Sequence, residues 1–232
     1  DPSDIMESYG ADTARWFMLS DSPPDRDVIW TEEGVAGAHR FVQRVWRLFA
    51  EWSGSGSDGS RPNASSSAAT ALRKTTHRAL AAVEDGIQSL RFNVAIARIY
   101  ELVNAIAAAL PGSANDAAVR NAVAEALEYL THMMAPMMPH LAEECWTALG
   151  HSDLVATRPW PAVDRALLVE DTITLPVQVN GKKRDELTIA ADASQVEVEK
   201  ATLALDAVRK ALGGRDPKKI VVVPKRIVNV VI

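Results

Sequence analysis

Residues 31–52, TEEGVAGAHRFVQRVWRLFAEW, decide the fold class. Thr31 is a favourable N-cap, and Glu32 and Glu33 follow where the positive end of a helix favours acid. Phe41, Val42, Val45, Trp46, Leu48 and Phe49 recur at helical spacing. That spacing predicts a helix to about Trp52 with those side chains as its buried face. Arg40, Arg44 and Arg47, at i, i+4 and i+7, line up on the other side. A planar guanidinium suits phosphate, and a row of them on a helix can follow a nucleic-acid backbone. Glu51 continues the row, so the same spacing also fits an ordinary solvated face.

Upstream, residues 3–19 read as short helical pieces broken at Tyr9-Gly10, with 21–29, which contain Pro23-Pro24, as a loop. Downstream, the serine- and glycine-rich stretch 53–69 reads as a low-complexity loop. A long helix is expected from about Ala71 to Leu90. Asn93 is a candidate cap for the next, which carries an apolar stripe of Ile99, Leu102, Val103, Ile106 and Leu110 and stops at Pro111-Gly112. Asp116 caps a further helix with Val119, Val123, Leu127, Leu130 and Met134 facing inward. Pro136 interrupts it, and Pro139 opens another that ends at Gly150. Consecutive amphipathic helices with short connections predict an antiparallel bundle.

After Trp160-Pro161 the periodicity changes. Ile173, Leu175, Val177 and Val179 alternate with polar residues, Asn180-Gly181 is a two-residue hairpin turn, and a second strand covers about 182–190. Ser194 and Glu197 form a capping box that opens a helix to Leu212, closed by Gly213-Gly214. Two β-rich runs flank Pro224. The fold class is therefore mainly α: a helical bundle over 30–169, preceded by a segment 1–29, and a small α+β domain, ββαββ, over 170–232.

Charge supports this division. The 232 residues carry a net charge of −5, but 1–169 hold −7 and 170–232 hold +2. Whole-chain electrostatics give no case for nucleic acid, and the tail is the part suited to phosphate. No apolar run approaches the roughly 18–20 residues needed to cross a bilayer, and no signal segment opens the chain, so no membrane role is expected. The one cysteine, Cys145, forms no internal disulfide, which points to the cytoplasm. The first residue is Asp1 rather than Met, which reads as an excised or processed piece.

Signs of catalysis are sparse. No glycine-rich phosphate loop and no cysteine pair for zinc is present. His140, Glu143, Glu144 and Cys145 form the densest polar cluster. His140 and Glu144 are one turn apart, but two ligands make no metal site, and a histidine with a carboxylate fixing a helix start is the plainer reading. Met133, Met134, Met137 and Met138 fit core packing at a kink, and Asp12 and Arg15 are spaced to pair. The second basic set is Lys182-Lys183-Arg184 beside the hairpin, with Lys218-Lys219 and Lys225-Arg226. Aromatics are not interleaved there, so any contact is to backbone or shape rather than bases.

Several motifs resemble a known family. Asp1-Pro2 with Tyr9-Gly10-Ala11-Asp12-Thr13 resembles the stretch after the Lys-Met-Ser-Lys-Ser loop of class I aminoacyl-tRNA synthetases. Ser22-Pro23-Pro24, Asp27, Trp30, Gly34-Val35, Gly37 and Arg40-Phe41 are similar to the leucyl branch. Met137 to Trp146 resembles the Pro-His-x-x-Glu-Glu-x-Trp element of the anticodon-binding-type bundle, and Trp160-Pro161 with Asp164 resembles its connector. Val177 to Lys182 and Val223-Pro224 with Val228-Asn229 resemble the tail domain of bacterial-type leucyl-tRNA synthetases.

The resemblance covers essentially the whole chain and implies the carboxy-terminal portion of such an enzyme. Its partners would be tRNA(Leu) and the catalytic domain of the same polypeptide, with no DNA. The nucleotide-binding fold, the His-Ile-Gly-His signature and the editing insert are not in this sequence. The resemblance therefore implies no catalytic residue, no metal and no cofactor here, ATP and Mg belonging to the parent enzyme, and binding without aminoacylation. The tRNA-binding candidates are Arg40, Arg44, Arg47, Lys182, Lys183, Arg184, Lys218, Lys219, Lys225 and Arg226. A freestanding helical protein-interaction module is the alternative, and a metal-dependent hydrolase at His140 and Glu144 a third reading.

Overall fold

The computed structural model describes residues 2–21, 25–52, 66–169 and 172–232, in two compact units, Asp1–Leu168 and Val169–Ile232. The described part of the first unit contains helices α1 (Pro2–Tyr9), α2 (Ala11–Asp21), α3 (Glu32–Glu51), α4 (Ser67–Gln88), α5 (Phe92–Ala109), α6 (Ala117–Met134) and α7 (Pro139–Ala148). Short 3-10 turns cover Leu110–Ala114, Val155–Thr157 and Arg165–Leu168. Residues 22–24 of the first expected loop and 53–65, most of the second, lie outside the described residues.

Local chemistry explains most boundaries. Thr31 Oγ1 accepts the Gly34 amide at 3.2 Å, and Asp116 Oδ1 accepts those of Ala118 and Val119, so both expected caps form. Helix α4 starts earlier than expected, because Ser66 Oγ accepts the Ala69 amide. At its other end Leu90 is left-handed, φ 57°, and the Arg91 amide reaches back to Gly86 O at 2.7 Å. That reversal starts α5 at Phe92, so Asn93 falls inside the helix and is not its cap. The crossing of α4 and α5 is close. A Cβ on Gly86 would lie 2.9 Å from that of Ala95, so only glycine fits there.

The core follows the predicted stripes. Ile99, Leu102, Val103 and Ile106 of α5 and Val119, Val123, Leu127, Leu130 and Met134 of α6 are buried. Met133, Met134, Met137 and Met138 are fully buried around Pro136, where unbranched side chains fill the space at the kink. Residues 92–114 correct one expectation. This 23-residue span is long and apolar enough, by length and composition, to cross a membrane. Here the buried side chains of α5 belong to the bundle core, and Arg98 pairs with Glu101 on its exposed side.

The second unit contains β1 (Thr172–Val179), β2 (Lys182–Ala190), α8 (Gln195–Ala204), α9 (Asp206–Leu212), β3 (Lys219–Val223) and β4 (Ile227–Val231). The sheet order is β2-β1-β4-β3, with a parallel central pair β1–β4 between two antiparallel hairpins. A parallel pair requires a crossover, which α8 and α9 supply. Asn180 and Gly181, at φ 48° and 79°, make the tight turn their sequence predicts. The capping box is present in both directions, Ser194 Oγ on the Glu197 amide and the Glu197 carboxylate on the Ser194 amide.

The single helix expected after Ser194 is two. Leu205 is extended, and the break changes the helical phase. An unbroken helix with Val198 and Thr202 inward would turn Leu205 and then Arg209 toward the sheet. With the break, Val208 and Leu212 are buried and Arg209 stays in water, which avoids burying an unpaired charge.

Candidate nucleic-acid interface

The polar residues of the bundle sort into those that build it and those left over. Arg15 and Asp12, expected to pair with each other, instead hold two different helix ends. Arg15 donates from Nε to Met137 O at 3.0 Å and from Nη2 to Pro136 O at 2.8 Å, at the end of α6. Asp12, on the same turn of α2, accepts the Leu141 amide at 2.6 Å and faces His140 Nδ1 at 3.1 Å. Helix α7 has no capping side chain of its own, so a residue 129 positions away caps it. The elbow at Pro136 to Pro139 is thus clamped from one turn of α2.

The His140 cluster is accounted for in the same way. The Glu143 carboxylate accepts the Val155 and Ala156 amides at 2.9 and 3.1 Å. Cys145 is fully buried, and burial, followed by the nearby Glu144 charge, pushes its thiol pKa well up, so it is no nucleophile. Among the described residues no group of three or more His, Cys, Asp or Glu is assembled to hold a metal.

A second clasp went unread in the sequence. His77, buried on α4, accepts the Asp164 amide at Nδ1, 3.0 Å away. A backbone amide only donates, so the ring proton is on Nε2, facing Glu125 Oε1 of α6 at 3.4 Å. Arg73 donates to both oxygens of Glu125, at 2.7 and 3.2 Å. Burial alone would raise the Glu125 pKa, but the hydrogen bonds from His77 and Arg73 and the charge of Arg73 overcome it and hold it at about 2. The only sequence signal was a histidine within the largely apolar inner stripe of α4, beside the buried Thr76.

Most of the other bundle arginines also have work within the fold. Arg91 binds Asp85, Arg98 binds Glu101, Arg120 donates to Ser113 O and Ala114 O, and Arg158 binds Asp153. The α3 row differs. Arg40 and Arg47 are exposed and Arg44 half-buried. Among the described residues none of the three meets a carboxylate; Arg47 reaches only Gln43 O of its own helix, at 3.4 Å. Trp46, expected on the buried face of α3, is instead 43% exposed.

In the second unit the strand directions sort the basic residues by position. Lys182, Lys183 and Arg184 follow the β1–β2 turn, and Lys218 and Lys219 open β3 at that same end of the sheet, where β4 terminates. Lys225 and Arg226 lie in the β3–β4 turn at the opposite end. The seven therefore form two groups. Lys183 pairs with Glu186 and Lys218 donates to Ile232 O. Lys182, Arg184, Lys219, Lys225 and Arg226 have no side-chain partner among the described residues.

Comparison with known proteins places this arrangement in a family. The model described as the anticodon-binding domain of tRNA ligase matches residues 70–200. Leucine–tRNA ligase of Mesorhizobium japonicum is 58% identical over 233 residues, and that of Sinorhizobium fredii 59% over 235 residues. Those alignments take in 99% and 100% of this chain but 27% of each relative, so the chain spans about a quarter of their length. A solved ternary complex, Agrobacterium radiobacter K84 agnB2 LeuRS-tRNA-LeuAMS, superposes with a TM-score of 0.80 at 29% identity, covering all of this chain and 29% of that one. The chain belongs to the anticodon-binding domain family of tRNA ligases.

Proposed function

We propose that the chain is the tRNA-binding carboxy-terminal region of a leucine–tRNA ligase, which holds tRNA(Leu) while a catalytic domain elsewhere in the polypeptide attaches leucine. The observation that carries this reading is the α3 row, Arg40, Arg44 and Arg47, none of which meets a carboxylate among the described residues, in a bundle that engages most of its other arginines. The end of the tail sheet with Lys182, Arg184 and Lys219 is a second phosphate-facing surface. Likeness to leucine–tRNA ligases over the whole chain, and to a LeuRS solved with tRNA, supports the choice of ligand. On this reading the work of the chain is positioning, and ATP and Mg act at the catalytic domain.

The test is titration of the chain with leucine tRNA and with an unrelated tRNA, at about 50 and 200 mM salt. Phosphate-led binding weakens by orders of magnitude between those salts when several contacts are made. The expected result is salt-sensitive binding that favours leucine tRNA. Equal affinity for the unrelated tRNA would sink the reading, and tRNA-independent capture of a protein by the bundle would favour an interaction module.

A further inference from the structure

The β1–β2 turn, Asn180-Gly181, is the only Asn-Gly pair in the sequence. In such a pair the backbone nitrogen of the glycine can attack the side-chain carbonyl carbon, Cγ, of the asparagine. Glycine carries no side chain to obstruct that approach. Both residues are exposed, and a Cβ at Gly181 would meet nothing within 4 Å, so water reaches the turn freely.

The last strand holds the two reacting groups apart. The Gly181 amide donates to Asn229 Oδ1 at 3.1 Å, and Asn180 Oδ1 accepts the Ile232 amide at 3.0 Å. The Asn180 amide donates to Val230 O at 2.9 Å. Asn229 stands opposite Gln178 in the parallel β1–β4 pair, which brings its side chain to the turn. The nucleophilic nitrogen and the carbonyl are thus each bound to a different residue at the end of the chain's last strand. Ring closure requires both bonds to open.

We propose that Asn180 is a latent deamidation site that Asn229 and the Ile232 amide keep shut. When β4 opens locally, the Gly181 nitrogen bonds to Asn180 Cγ, and its proton leaves with the side-chain nitrogen as ammonia. Water then opens the five-membered imide at one of its two carbonyls, giving aspartate or isoaspartate at 180. No oxidant or reductant takes part. The product places a carboxylate at the sheet end that carries Lys182, Arg184 and Lys219. The site stands independently of the tRNA-binding reading; the effect of that charge on RNA rests on it.

Peptide mapping by mass spectrometry, on the full chain held in mildly alkaline buffer, follows conversion at residue 180, with isoaspartate as the signature of the imide. The unaltered chain should convert at least roughly tenfold more slowly folded than in urea, since two hydrogen bonds must open. Asn229→Ala should speed conversion of the folded chain roughly fivefold, the effect of losing one such bond. Asn229→Asp keeps an oxygen on the Gly181 amide and should stay near the parent rate. Equal rates in folded and urea-unfolded parent overturn the lock, a comparison that needs no variant to fold. So does a folded Asn229→Ala that converts no faster than the parent. Asn180→Asp supplies the product's charge and keeps an oxygen for the Ile232 amide. Its salt slope for leucine tRNA should fall by about 1. An unchanged slope removes the tail's share of the tRNA reading, whereas an absent lock leaves that reading untouched.

Discussion

The two units use their cations differently. In the bundle, arginine is mostly a structural residue: Arg15 holds the end of α6, Arg73 the Glu125 clasp, and Arg120 the turn before α6. In the tail, the seven candidate lysines and arginines sit at strand ends and turns, and five of them have no side-chain partner among the described residues. The α3 row belongs with the tail in this respect although it lies in the bundle. A surface cation that the fold leaves unpaired is available to a polyanion without breaking anything. A cation fixed on a carbonyl or carboxylate is not.

That contrast breaks or holds by substitution. The largest stability effect should come from the bundle's clasp. Glu125→Gln is expected to cost about 2 kcal/mol at pH 7, discounted for the water that reaches the carboxylate. The sign follows from a folded pKa of about 2, below the ordinary value of 4.5. The stabilisation is complete above the ordinary value and is lost as pH falls toward 2. Melting curves should show variant and parent converging across that window, and a constant gap down to pH 2 would refute the clasp.

Asp12→Ala should cost about 1–2 kcal/mol, because it removes the only side-chain cap seen on α7 among the described residues and leaves the part-buried Leu141 amide unpaired. Hydrogen exchange should rise at Leu141 and Ala142, and unchanged protection there would dismiss the cross-helix cap. Smallest is Lys225→Gly in the tail. Lys225 sits at φ 56°, a left-handed conformation that costs a non-glycine residue about 1 kcal/mol. The variant should melt slightly higher and bind tRNA slightly more weakly. A loss of stability would show that the turn does not strain Lys225.

Features set by neighbours in sequence were legible. The Thr31 and Asp116 caps, the Ser194–Glu197 box and the Asn180-Gly181 turn depend on a few adjacent residues, and all are present. Features set at long range were not. Asp12 and His77 find partners 129 and 87 positions away, and spacing within one helix says nothing of them. Trp46 was misplaced because an apolar stripe shows what a helix can bury, while its neighbours decide how much is covered. The break at Leu205 follows from the sheet beneath it, which α8 and α9 must match in phase. The basic candidates were legible as residues, but only strand direction shows that Lys225 and Arg226 lie at the opposite end of the sheet from the rest.

The central claim is that cations left unpaired by the fold are those that meet tRNA phosphate. The direct measurement is the slope of log affinity for leucine tRNA against log salt concentration, for the parent chain, for Arg40→Gln/Arg44→Gln/Arg47→Gln, and for Arg98→Gln as a paired control. Each lost phosphate contact lowers the slope by about 1. The triple variant should therefore lose about 2–3 from the slope with its melting temperature unchanged, and Arg98→Gln should lose nothing. A triple variant with the parent's slope, or an equal loss in Arg98→Gln, would contradict it.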